Sequence, residues 1–266
     1  MKNLLAPLAM PLLSKVHEFK DIHKGESCYL IGDGVSIKWF DLAAFNNKLA
    51  IPCGFIPFHN DFHKLTTEFF IVSEPWWFYP LERNPATVGP YKKNPRQRAY
   101  RDIIKKYNEK KFFINLSNYP TLQGNNIIYF FANFHDRRLP DNFITNRINA
   151  FHGSLRTSIT FAIYMGFDHV YLVGCDYTHN PSRTMHWYER GHGKLDVHNN
   201  YNEEFFELAK NFIDITTITL DGKSDFINSV TYEEHTGRKL SFRENLDLTS
   251  ENYLNTLSTW ADYKIF

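Results

Sequence analysis

One recurring unit constrains the fold of this 266-residue chain more than anything else in it. A short β-prone run is followed by a glycine or polar turn and then by a stretch with helical spacing. The runs are SCYLIGDG (27–34), KLAIPC (48–53), EFFIVS (68–73), KFFINL (111–116), NIIYFF (126–131), HVYLVGCD (169–176) and ITTITLDG (215–222). They are apolar on both faces, which suits strands covered by helices on both sides, as in parallel sheets. The first run leads into SIKWFDLAAF, read as helical. Residues 154–165 place Leu155, Ile159, Ala162 and Ile163 on one helical face and stop at Gly166. Residues 202–213 carry acidic side chains in their first turn and apolar residues at helical spacing. The alternation predicts one α/β domain over 1–266, with a Rossmann-like, mostly parallel sheet and helices on both faces. Residues 75–110 break the rhythm: prolines recur before Arg96 and basic residues follow. That segment is expected to be a lid-like insertion, a long loop followed by a basic helix.

Charge and cysteine usage narrow the functional classes. Lys and Arg number 30 against 29 Asp and Glu, a formal charge of +1, which argues against nucleic-acid binding by clustered phosphate neutralisation. Cys28, Cys53 and Cys175 show no metal-ligand or redox spacing, so a reducing compartment is expected. The opening MKNLLAPLAMPLLSKVHEF has a short apolar run broken by Pro7 and Pro11, with no small-residue cleavage site after it. It reads as a packed or membrane-grazing lead-in helix. No other run approaches the roughly 20 apolar residues that span a bilayer. A cytoplasmic protein is expected, with a peripheral contact at the inner membrane left open.

Three segments can carry chemistry. Gly32-Asp33-Gly34-Val35-Ser36 ends the first strand, where glycines let backbone and ligand approach and a following helix offers N–H groups to phosphate. It matches neither GxGxxG nor a P-loop, and a strand–turn–helix link needs no ligand at all. His152-Gly153-Ser154-Leu155-Arg156-Thr157 opens the clearest helix and suits a phosphate-bearing ligand, or ordinary capping by Ser154. The stretch 173–198 follows an apolar strand and carries Asp176, Tyr177, His179, His186, Tyr188, His192 and His198. Ligands of α/β sheets gather beyond the carboxyl ends of strands. There, imidazole can take a proton from a hydroxyl and a tyrosine can donate to a departing phosphate. The histidine spacing fits no compact zinc signature, so no metal is expected. The chain has no Asp-x-Asp, the carboxylate pair with which many nucleotide-sugar transferases hold a cation, and no G-x-S-x-G.

Together the segments YLIGDGVSIKWFDL, GSLRTSITFAIYMGFDHVYLVGCDY and Gly191-His192 resemble the bacterial CMP-sialic-acid-dependent sialyltransferases that decorate lipooligosaccharide. They also resemble the broader 6-hydroxymethylpterin diphosphokinase-like domain family, which shares the same core. The family's glycine turn has Asn and Pro where this chain has Asp33 and Val35. The resemblance implies an inverting, metal-independent glycosyltransferase with no cofactor beyond a CMP-sugar donor. Gly32, Asp33, Gly34, Ser36, Gly153 and Ser154 would hold the nucleotide, and Asp176 would support the pocket. His192 would be the catalytic base, and Tyr177 or Tyr188 would supply a hydroxyl to the phosphate. The implied partners are a nucleotide-sugar donor and a glycan or lipid-linked glycan acceptor, in lipopolysaccharide or capsule biosynthesis. Homo-oligomerisation stays open. Two rivals remain: a pterin-type pyrophosphokinase using ATP and magnesium through Asp33, Asp176 and Asp221, and a non-catalytic nucleotide- or glycan-binding protein.

Overall fold

Period-two alternation within each apolar run sorts its side chains onto two faces, and both faces are buried. The computed structural model describes residues 9–75, 77–79, 81–82, 92–93, 95–132, 147–148, 153–196 and 202–258. All seven expected runs are strands: β1 (Ser27–Ile31), β2 (Leu49–Pro52), β3 (Phe69–Val72), β4 (Lys111–Asn115), β5 (Ile127–Ala132), β6 (His169–Val173) and β7 (Asp214–Thr219). An eighth, β8 (Asn228–Thr231), was not evident from the sequence because its NSVT run is short and polar.

Every pairing among these strands is parallel. One sheet has the order β8-β7-β6-β1-β2. A second has the order β3-β4-β5, extended by the short strand Arg147–Ile148. A parallel bridge between Leu49 and Thr66, with Ala50 N–H donating to the Thr66 carbonyl at 2.7 Å, joins β2 to the approach of β3. The chain therefore lays β1 to β5 outward in one direction, returns to the other side of β1, and lays β6 to β8 the opposite way. The switch point lies between β1 and β6, where doubly wound sheets bind their ligands.

Two hydrophobic cores cover the two faces. Tyr29, Ile31, Ala50, Phe70, Phe112 and Ile114 point into one, together with Ala99, Tyr100 and Ile103 of α1 (Pro95–Lys106) and Leu254 and Leu257 of α6 (Glu251–Ser258). Cys28, Leu30, Ile51, Phe69, Ile71 and Phe113 point into the other, against Leu155, Ile159 and Phe161 of α2 (Ser154–Tyr164) and Phe205 and Phe206 of α3 (Glu203–Ala209). Each fully buried Ile or Phe of this kind contributes about 1.5–3 kcal/mol. The short helices α4 (Tyr232–Thr236) and α5 (Asn245–Leu248) each begin with a capping box.

One local expectation needs amendment. SIKWFDLAAF forms two 3-10 turns, Val35–Lys38 and Leu42–Phe45, instead of one helix. Between them the Asp41 side chain accepts from Ala43 N–H at 3.0 Å and starts the second turn, competing with helix continuation. The lead-in segment takes the packed alternative of its two readings: Leu13, Val16 and Phe19 are buried. The basic helix of the insertion is α1, and its described loop residues include the antiparallel pair Leu81–Glu82 and Lys92–Lys93. Among the described residues no helix is long and apolar enough to cross a membrane.

Candidate functional site

Backbone at the switch point is packed to its limit. Gly32 N–H donates to the Val173 carbonyl at 2.7 Å, and Gly34 N–H to the Gly174 carbonyl at 2.6 Å. A Cβ on Gly32 would lie 2.6 Å from the Gly174 oxygen, and one on Gly34 only 2.1 Å from Asp176 Oδ2. The glycines thus let two loops of the protein meet. Asp176 is buried and its Oδ2 accepts from Ser36 N–H at 2.7 Å. Burial pushes the Asp176 carboxyl up to about 6. Ser36 is fully buried.

Asp33 turns the other way, toward the ends of β2 and β3. Its two oxygens accept from Phe55 N–H at 2.9 and 2.7 Å, and Trp187 Nε1 donates to Oδ1 at 3.3 Å. Gly54, with φ +65°, leaves room for this carboxylate, since a Cβ there would lie 1.9 Å from Asp33 Oδ2. Burial raises the Asp33 carboxyl to about 6, although charge from His186 and the Phe55 N–H oppose the shift. Backbone pairing brings the distant 184–189 loop here as well: Trp187 N–H donates to the Asp33 carbonyl at 3.0 Å, and Gly34 forms a bridge with His186.

These contacts build a cleft of about 210 Å³ across the carboxyl ends of β1, β2 and β3 and the start of α2. Its lining carries Asp33, Glu74, Ser154 and His186 as polar groups, with Phe55, Trp77, Tyr100 and Tyr188 as aromatic walls. Ser154 Oγ donates to Glu74 Oε1 at 2.6 Å, so a carboxylate of the chain already faces the N-terminus of α2, where negative charge is favoured. Gly153, with φ +120°, precedes that helix, and a Cβ there would meet nothing within 4 Å.

His186 is the imidazole of this cleft. Glu189 Oε2 accepts from its backbone N–H at 2.9 Å, and Glu189 Oε1 lies 3.6 Å from Nδ1. Hydrogen bonding to His186 holds the Glu189 carboxyl below the usual range. At 3.6 Å the Nδ1 contact is electrostatic, without a hydrogen bond. Tyr188 stacks on the ring at 4.9 Å with planes 9° apart, and Tyr177 packs at 5.0 Å. Burial keeps both tyrosines protonated by raising them well above their ordinary range.

His192 does not line the cleft. It is exposed, stacks on Phe242 at 4.4 Å and lies 5.7 Å from the Trp39 ring. Buried Lys38 fixes the chain on either side of Arg190, its Nζ donating to the carbonyls of Glu189 at 2.5 Å and Gly191 at 2.9 Å. His179 is buried beside Asp221 and Asp225, and desolvation lowers it to about 4. His152 and His198 lie outside the described residues. Among the described residues no three His, Cys, Asp or Glu side chains converge as a metal site.

Of the residues singled out in the sequence, the structure gathers Asp33, Ser154 and Tyr188 into one cleft, with Tyr177 against its imidazole. Gly32, Gly34, Ser36 and Asp176 form the packed floor beside it. Glu74, Trp77 and Glu189 went unnoticed in the sequence. Glu74 and Trp77 had a usable signal, because they directly follow the EFFIVS strand and carboxyl ends of strands are where ligands bind.

No protein-family model matches the chain, and no curated protein matches it. The solved structures similar in chain path include the following three. One is the MAf glycosyltransferase from Magnetospirillum magneticum AMB-1, at 11% identity and a TM-score of 0.45, covering 94% of this chain and 41% of that one. The sialyltransferase CstII from Campylobacter jejuni, in complex with the substrate analogue CMP-3FNeuAc, matches at 13% identity and a TM-score of 0.45, covering 88% of this chain and 99% of CstII. CstII in complex with cytidine-5'-monophosphate matches at 15% identity and a TM-score of 0.43, covering 90% and 98%. This chain therefore spans less than half the length of the first of these proteins.

Proposed function

We propose that the chain is an inverting, metal-independent glycosyltransferase in which His186 is the catalytic base. One observation carries the reading: an imidazole with a carboxylate beside it lines a cleft beyond the carboxyl ends of β1, β2 and β3. In a single displacement, His186 takes the proton of an acceptor hydroxyl. The freed oxygen bonds to the anomeric carbon, and the bond from that carbon to the phosphate oxygen breaks, its electron pair leaving with the phosphate. Tyr188, kept protonated by burial, donates a hydrogen bond to that oxygen, with Tyr177 as the alternative donor. Such donors serve a leaving monophosphate without a metal ion.

The motif resemblance supports a CMP-activated, sialic-acid-like donor and a surface glycan or its lipid-linked precursor as acceptor. His192 was the base expected from that resemblance. Its stacking on Phe242, away from the cleft lining, moves the proposed role to His186.

The test is a transfer assay with CMP-, UDP- and adenine-nucleotide donors, run once with EDTA and once with magnesium. Expected is transfer from the CMP donor with inversion at the anomeric carbon, read by proton NMR of the product. Retention would point to a covalent intermediate on Asp33 or Glu74. ATP consumption that needs magnesium would replace this reading with the pyrophosphokinase.

A further inference from the structure

A departing phosphate gathers negative charge, and the lining of the cleft is short of positive charge to meet it. The described lining carries the carboxylates of Asp33 and Glu74 and no Lys or Arg. Its imidazole, His186, gains charge only as it takes the acceptor's proton. A fixed cation near the phosphate supplies what a metal ion otherwise would. We propose that Arg96, lying over the ring of Phe55, is that cation and strengthens the hold of Tyr188 on the nucleotide's phosphate. The inference rests on the metal-independent reading of this cleft.

Arg96 sits in the first turn of α1 and is buried. Tyr100, one turn further along the same helix face, lines the cleft. The guanidinium carbon of Arg96 lies 5.8 Å from the centroid of the Phe55 ring. Phe55 meets Tyr188 edge-on at 5.9 Å, and both rings belong to the cleft wall. Burial, with charge from Asp33 and Glu189, raises the Tyr188 hydroxyl, and the charge of Arg96 opposes that rise. A nearby cation favours negative charge on the phenol oxygen, which makes the hydroxyl a stronger hydrogen-bond donor. The helix that carries Arg96 is fixed before any ligand arrives. Gln97 Nε2 donates to the Phe78 carbonyl at 2.9 Å, and Arg101 Nη2 donates to the carbonyls of Phe78 and Thr121 at 2.8 and 2.7 Å. Two other buried cations are engaged elsewhere, Lys38 on the carbonyls of Glu189 and Gly191 and Arg156 Nε on Asn202 at 2.7 Å. Arg96 is thus a positioning residue: Tyr188 makes the contact, and the buried charge, weakly screened, strengthens it.

The experiment measures binding of the 5'-monophosphates of cytidine, uridine and adenosine, each against its own nucleoside, by titration calorimetry on the full chain. The nucleoside lacks the phosphate, so the ratio of the two dissociation constants isolates the phosphate seat from the base. The parent is expected to prefer at least one monophosphate by ~10-fold or more, the scale of a unit charge acting over several ångströms at intermediate dielectric. Arg96→Met and Arg96→Gln keep much of the side chain's length without its charge, and each should shrink that ratio by about 10-fold. Arg96→Lys should stay within a few-fold of the parent, a rescue that packing alone would not give. Tyr188→Phe should shrink the ratio too, and Arg96→Met combined with it should lose less than the product of the two single losses. No monophosphate preference in the parent, an unchanged ratio in a folded neutral variant, or equal losses in Arg96→Lys and Arg96→Met each overturn the proposal. Strictly multiplicative losses in the double variant overturn the route through Tyr188. If neither neutral variant folds, the ratios of the parent and of Arg96→Lys decide. Ratios that behave as expected in a chain that transfers no sugar would remove the catalytic reading and leave the phosphate seat standing.

Discussion

The carboxylate of Asp176 accepts a 2.7 Å hydrogen bond from the backbone of Ser36, fastening the loop after β6 to the loop after β1. Gly34 lies against the same carboxylate, with no space for a side chain. Gly34→Ala is therefore expected to destabilise the whole fold, by about 1–3 kcal/mol or more as an overpacking change. Asp176→Asn keeps an oxygen for Ser36 N–H and should cost less. Urea midpoints measure both. A Gly34→Ala protein as stable as the parent would show that the two loops do not meet as described.

A second expectation separates the histidines. General-base catalysis is typically worth ~10²–10⁴-fold in rate, so His186→Ala should lower turnover by about that factor. His192→Ala, which removes a ring stacked on Phe242, should leave turnover within a few-fold. The reverse order of effects would return the base to His192. Tyr188→Phe should slow turnover by ~10²–10³-fold if its hydroxyl stabilises the leaving phosphate.

Lys38 gives a third. It is fully buried, and its ammonium spans the carbonyls of Glu189 and Gly191, the residues on either side of the turn between His186 and His192. Lys38→Met keeps the apolar stem but leaves those carbonyls without their donor, at a cost of about 1–3 kcal/mol. Amide hydrogen exchange over 184–196 should quicken in this variant while the β4 core keeps its protection. Unchanged exchange in that loop would mean that Lys38 does not hold it.

The strands were legible because each is apolar on both faces, and burial of Phe112 and Phe113 on opposite sides of one sheet shows why. β8 was hidden because its NSVT run sits at the sheet edge, where little burial is demanded. The glycine turn was easy to find and its meaning was not. Gly34 is required by Asp176, a residue 142 positions away, and no local pattern reveals such a contact. The sequence separates the histidines even less. His186 and His192 lie in the same short loop, and contacts with distant residues, such as the bridge of His186 with Gly34 and the stacking of His192 on Phe242, set their surroundings apart.

Between about pH 4 and 6, buried carboxyls and buried histidines act on stability in opposite directions. Burial raises the carboxyls of Asp33 and Asp176 from 3.8 to about 6. Their protonated forms favour the folded state, so this contribution is full below 3.8 and is lost as pH rises through about 6. Burial lowers His59 and His179 from 6.5 to about 4. Their neutral forms favour the folded state, so that contribution is present above 6.5 and is lost as pH falls through about 4. Burial lowers His169 and His235 in the same direction as His59 and His179. Removing one group of either kind should tilt the slope of stability against pH. Asp33→Asn leaves the histidines less opposed, and its stability should rise more steeply with pH across the window than the parent's. His59→Asn leaves the carboxyls less opposed, and its slope should be lower than the parent's. Urea midpoints of the parent and both variants, collected from about pH 4 to 7.5, check the two changes. If both variants move the slope in the same direction, burial of these groups is not what sets the acid response.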